Sequence, residues 1–265
     1  MQKRSVIYLI YFIFQLIPFT YTCAQKHAAK KHECQESNDT DICILYEIPK
    51  KFIPVSNHPL DVTYLIIKGS LRPVINTSIC NEFPNIEKFN AGGQSIEVII
   101  DGAFAACTKL RELFLGANNI AALDKDTFKN NTQLTHLWLY MNELESLPEE
   151  LFAHQQKLEH LYLSSNNLHE FPVEVFQYLG NMRILTLHTN ELSDLDALTL
   201  VKKMPHLKEI QLRSNRFECK RLKVLMRIFE ARQIFLGRNG GSNDRYLYAY
   251  YKNFECIRYF KNRNY

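Results

Sequence analysis

Glu112, His136 and His160 stand 24 residues apart in succession. Two imidazoles and one carboxylate form a facial metal-binding set if the fold brings them side by side. Three aromatic residues, Phe114, Trp138 and Tyr162, keep the same interval, and aromatics that share a surface form a binding patch. A metal triad also needs outer partners that orient its imidazoles. None can be named here, so the three polar residues are read as solvated and no metal is assigned. A histidine pair can also sense pH, because imidazole titrates near neutrality. The sequence contains no nucleophile elbow, no H-E-x-x-H and no zinc-spaced cysteines. The glycine-containing stretch 237–244 lacks the form of a phosphate loop. No catalytic residue and no cofactor are assigned, and the chain is read as a binding protein rather than an enzyme.

The interval belongs to the chain as a whole. LRELFLGANNI (110–120), LTHLWLYMNEL (134–144), LEHLYLSSNNL (158–168), MRILTLHTNEL (182–192) and LKEIQLRSNRF (207–217) share the form L-x-x-L-x-L-x-x-N-x-L. That form, at this period, is the signature of leucine-rich repeats. Two degraded units precede them, IEKFNAGGQSI at 86 and VTYLIIKGSLR at 62. The fold expected is an α/β solenoid: a horseshoe of about seven 24-residue turns with a parallel concave sheet and disulfide-stabilised caps at both ends. In each turn Leu-x-Leu is a short strand whose alternate side chains face opposite ways. Leu113 and Leu115, Leu137 and Leu139, and Leu161 and Leu163 point inward, and stacked turns share one core. Asn118, Asn142, Asn166, Asn190 and Asn215 satisfy backbone groups where the chain leaves the strand. Phe104, Phe128, Phe152 and Phe176 are apolar pegs on the convex side, next to short helical turns. Leu222, Leu225, Met226 and Phe229 follow helical spacing, which predicts a helix over the open end of the core.

The outward residues of the strands form columns on the concave face. The central column reads Ile66, Asn90, Phe114, Trp138, Tyr162, Thr186 and Gln211, with Tyr140 and His188 on one side and Glu112, His136 and His160 on the other. Because the inward leucines fill the core, the aromatic column is expected to be exposed. The candidate ligand-binding residues are Phe114, Trp138, Tyr162, Tyr140, His136, His160, His188, Gln211 and Arg213. The alternative is aromatic cross-strand packing that only stiffens the sheet.

The ends of the chain suggest an address. Lys3 and Arg4 precede an apolar run from Ser5 to Phe19, and small residues follow. This is the pattern of a secretory signal, with cleavage expected between Ala24 and Gln25. The run is shorter than the roughly 20 residues of a spanning helix, so no membrane anchor is expected. Of seven cysteines, cleavage would remove Cys23. The six left suit an oxidising compartment. Cys34 with Cys43 and Cys219 with Cys256 are expected to cap the two ends, while Cys80 and Cys107 either bridge the convex face or pack as buried thiols. Asn38, Asn76 and Asn130 head glycosylation sequons. The domains are thus 1–24 signal, 25–61 stub and cysteine cap, 62–217 repeats, and 218–265 cap helix with a basic aromatic tail. Residues 220–265 carry eleven Lys/Arg against three Asp/Glu, whereas 25–219 carry nineteen against twenty-five. Such asymmetry points to an electrostatic partner surface, or to charges that are merely solvated. Secretion argues against nucleic acid.

CQESNDTDICILYEI, then INTSIC, and NRFECKRLKVLMRIFEA after the last repeat resemble secreted insect leucine-rich immune proteins, notably the mosquito leucine-rich immune molecule family. The resemblance implies a haemolymph recognition protein that associates with complement-like thioester proteins or another leucine-rich repeat protein, often as disulfide-linked dimers. Without a C-terminal heptad coiled coil, this sequence resembles the short or coil-less members. The expected function is non-catalytic binding in innate immunity, with a protein or microbial surface as ligand. The alternative is a structural protein of the extracellular matrix.

Overall fold

The computed structural model describes residues 32–35, 42–46, 62–69 and 73–236. The expected signal segment, the sequon at Asn38, Cys256 and the basic aromatic tail lie outside the described residues.

Each turn contributes one short strand to a common sheet. The chain opens with β1 (His32–Gln35), β2 (Ile42–Tyr46) and β3 (Tyr64–Lys68), then β4 (Val74–Ile75), β5 (Lys88–Asn90) and β6 (Val98–Ile99). It continues with β7 (Glu112–Phe114), β8 (His136–Trp138), β9 (His160–Tyr162), β10 (Ile184–Thr186) and β11 (Glu209–Gln211). The concave sheet runs β1-β2-β3-β5-β7-β8-β9-β10-β11. From β2 onward every pairing in it is parallel, and β1 is antiparallel at the edge. The seven strands that begin with β3 are the seven turns of the repeat. The antiparallel β1 sets Cys34 opposite Cys43 in the backbone register.

The leucine pattern explains the core. Leu113, Leu137, Leu161, Leu185 and Ile210 point inward from successive strands and are fully buried, as are Leu115, Leu139, Leu163 and Leu187 just beyond them. On the convex side Phe104, Phe128 and Phe152 stack in a file, with ring centroids 6.2 and 6.4 Å apart. Phe89 meets the end of this file edge-on.

Asparagine stitches the turns together. Asn166 donates from Nδ2 to the carbonyls of Leu163, in its own turn, and Leu139, in the turn before, and its Oδ1 accepts the Leu144 N–H. Asn118, Asn142, Asn190 and Asn215 repeat the arrangement. The bend is tight enough that the preceding residues, Ala117, Met141, Ser165, Thr189 and Ser214, all have positive φ of 52 to 57°. An L-residue there costs about 1 kcal/mol, and the amide bonds of the asparagine offset it.

Short helices occur within regular turns, at Ser78–Glu82 and Val173–Tyr178, and the two longer ones stand where the period loosens or stops. The 25-residue interval before β11 holds a helix, Ala197–Lys203, capped by the Asp196 side chain on the Thr199 N–H. The helix expected over the last turn spans Cys219–Ala231 and buries Leu222, Leu225, Met226 and Phe229. After it, the Phe235 carbonyl accepts the Ile210 N–H, and the Phe235 N–H donates to Lys208. This closes part of the final sheet edge, a detail that no repeat pattern announces. The small parallel pair β4-β6 on the flank of the first two turns was likewise not expected.

A disulfide joins Cys80, in the short helix Ser78–Glu82, to Cys107 in the next turn. Of the two readings of these cysteines, the structure has the bridge. Cys219 is also disulfide-bonded.

Candidate functional site

Strand register places the aromatic column on three adjacent strands, because Phe114 pairs with Trp138 and Trp138 with Tyr162. The leucines on either side of each ring fill the core, so the rings stand on the concave surface. They do not stand apart there. Phe114 and Trp138 stack with centroids 3.8 Å apart and planes 8° from parallel; Trp138 and Tyr162 stack at 5.3 Å and 6°. All three are half-buried. The expectation of an exposed tryptophan is corrected accordingly, since its two neighbours cover both faces of the indole. Ring edges, not ring faces, line the concave space.

The histidines extend the stack sideways. His136 lies 5.5 Å from Trp138 at 17° and 4.2 Å from His160. The Nδ1 of His136 is 2.9 Å from Thr135 Oγ1, and that of His160 is 3.3 Å from the Tyr162 hydroxyl. Glu112, the third member of the column, is taken up by Lys88, whose Nζ is 2.9 Å from Oε1. Among the described residues no three His, Cys, Asp or Glu side chains form a metal-holding group.

The remaining candidates sit around this centre. Tyr140 is 37% exposed and lies against Gly116. His188 is half-buried, with a buried Nδ1 that has no partner. Gln211 is occupied with Glu209, donating from Nε2 to Oε1 at 2.7 Å. Arg213 acts on His188 through its charge. The two sequon asparagines among the described residues, Asn76 and Asn130, lie outside the concave strands. Asn130 is exposed, with Nδ2 3.3 Å from the Ala105 carbonyl, and Asn76 is half-buried just ahead of the helix Ser78–Glu82.

Two features escaped sequence reading. Asn131 and Gln155 are fully buried on the convex side and donate to the Phe104 and Phe128 carbonyls of the turn before. Their 24-residue spacing was a usable signal. The other is Gly116 as the seat of Tyr140; glycine in a column that elsewhere carries side chains was its only sign.

The geometry also predicts a pH response. Burial, then the charges of His136 and Arg183, hold the His160 imidazole below its ordinary value of 6.5, with Glu159 opposing. Burial and Arg213 do the same to His188. A lowered folded-state value means that the unfolded chain takes up more protons in this window. The contribution to stability is therefore complete above the ordinary imidazole value and is lost as pH falls through the folded one. Thermal unfolding from about pH 7.5 to about pH 5 is expected to show a steeper fall in midpoint for wild type than for His160→Gln. Equal slopes would show that this imidazole is not linked to folding.

The family profile described as Leucine rich repeat matches residues 84–144, 108–168, 132–192 and 156–217, which together span half of the chain. This chain belongs to the leucine-rich repeat family. Proteins of the family are generally non-catalytic binding scaffolds. Among solved structures, this leucine-rich repeat protein is similar to a mosquito LRIM1/APL1C complex, with 24% identity and a TM-score of 0.62 over 71% of this chain and 35% of that one. It is also similar to the APL1 leucine-rich repeat domain, with 26% identity and a TM-score of 0.61 over 66% of this chain and 47% of that one. It thus spans less than half of either matched chain. No curated protein matches it in sequence. Among the described residues no helix is long and apolar enough to cross a membrane.

Proposed function

We propose that this is a secreted, non-catalytic recognition protein of innate immunity that holds a protein or microbial ligand on its concave face. The observation that carries the reading is the aromatic stack. Phe114, Trp138 and Tyr162 form a continuous half-buried surface above a core that is already filled without them. Such a surface contributes little to burying the leucines, yet offers rigid apolar area at small entropic cost to a partner. Secretion is supported by the apolar N-terminal segment and by the Cys80–Cys107 bridge, which suits an oxidising compartment. The similarity to LRIM1 in complex with APL1C favours a second leucine-rich repeat protein as partner, and the family resemblance adds complement-like thioester proteins.

The test is an affinity pull-down from body fluid with wild type and Trp138→Ala. The substitution removes the middle ring and leaves every inward leucine in place, so circular dichroism is expected to stay unchanged. A partner captured by wild type and lost by the variant is the expected result. A partner held equally by both would move the contact away from the aromatic stack and overturn the assignment of this face.

A further inference from the structure

Tyr140 lies differently from the rings of the stack. A Cβ built on Gly116 would stand 2.6 Å from Cε1, 2.7 Å from Cζ and 2.9 Å from Cδ1 of Tyr140. An approach through the ring edge would leave the two flanking atoms markedly farther away than the nearest one. Three near-equal distances place the Gly116 backbone under the face of the ring. Tyr140 is therefore laid flat on the preceding turn, and only glycine leaves room for it. With one face held by Gly116, the solvent-exposed part of the side chain is left to the opposite face and the ring edges. Neither neighbour in its column, Gly116 nor Ser164, has a ring to cover that face, and Tyr140 is 37% exposed.

Polar groups border this platform on both sides. Beyond Gly116, Asn90 Oδ1 accepts the Gly92 N–H at 3.0 Å and Gln94 Nε2 donates to the Gly92 carbonyl at 2.8 Å, so two amide side chains converge there. In the other direction the column passes Ser164 and reaches His188, whose imidazole is half-buried.

We propose that Tyr140, positioned by Gly116, is a stacking platform for a pyranose ring, and that an oligosaccharide lies along this column of the concave face. One face of a pyranose presents C–H groups whose slightly positive hydrogens are attracted to the negative face of an aromatic ring. Its hydroxyls need donors and acceptors at the rim, which amides and a neutral imidazole supply. A proline would stack equally well but leave these polar groups unmet on desolvation. At about 4.8 Å per turn, the rim groups are spaced for several linked sugars rather than one. The aromatic stack cannot do this chemistry at Trp138, because both faces of that ring are occupied. The inference rests on the proposed use of the concave face and narrows its ligand to a glycan.

The probe is a printed array of microbial and animal oligosaccharides, applied to wild type, Tyr140→Phe, Tyr140→Ala and Gly116→Ala. Wild type and Tyr140→Phe, which keeps the ring face, are expected to bind a common set of pyranosides. Tyr140→Ala is expected to bind them at least about tenfold more weakly, and Gly116→Ala similarly, because its methyl group displaces the ring. An empty array, or equal binding by Tyr140→Ala, overturns the inference. If the array is empty while a Trp138-dependent partner is captured from body fluid, the glycan assignment fails and the proposed function stands.

Discussion

Asn166→Ala is expected to lower the free energy of unfolding by about 4 kcal/mol, read from urea denaturation. The residue lies in the third of five regular turns and is nearly inaccessible. Its side chain bonds the Leu139 and Leu163 carbonyls and the Leu144 N–H, all in the interior. Alanine would leave those three backbone groups without this partner, at about 1 to 3 kcal/mol each before relaxation. Ser165, at φ 56°, would also lose the bonds that hold its strained turn. Asn166→Asp tests the same point by another route. It keeps an acceptor for Leu144 but removes both donors, so a comparable loss is expected near neutral pH. A loss below about 1 kcal/mol for both variants would mean that the asparagine column does not hold the turns together.

Phe128→Ala is expected to cost a similar amount, about 4 kcal/mol. The ring is fully buried and stacked between Phe104 and Phe152. Its removal opens a cavity in the convex file and strips a neighbour from the rings on both sides. In a solenoid each turn is stabilised chiefly by the turns beside it, so a defect in the middle weakens two interfaces at once. Phe128→Leu restores most of the volume and is expected to recover more than half of the loss. Equal losses for the alanine and leucine variants would show that flat stacking, rather than volume, is what matters there.

These two variants probe the scaffold, whereas Trp138 and Tyr140 probe the surface it carries. The inward leucines bury completely without help from the concave rings. Changes on that face are therefore expected to alter binding while leaving the repeat intact, and this separation makes the concave surface open to test residue by residue.

Much of this architecture is legible in one dimension. In a stack of 24-residue turns the spatial neighbour of a residue is the residue one period away, so Phe114, Trp138 and Tyr162 had to be adjacent once the period was read. The same holds for the inward leucines, the asparagine column and the phenylalanine file, and helical spacing announced the helix Cys219–Ala231. What the period does not encode is rotation about side-chain bonds, or any contact that occurs once. Whether the concave rings present faces or edges is set by their packing on one another, and sequence reading had expected an exposed Trp138. Tyr140 lies flat because Gly116 has no side chain, a relation between two particular residues. The bridge from Cys80 to Cys107, the pair β4-β6 and the closure of the last strand by Phe235 are likewise single events. The sequence by itself determined the repeat, its core and which residues share a column, because local spacing and tertiary contact coincide in a solenoid. Only the tertiary structure decided how those residues turn toward a ligand, because side-chain orientation depends on the shape of each neighbour.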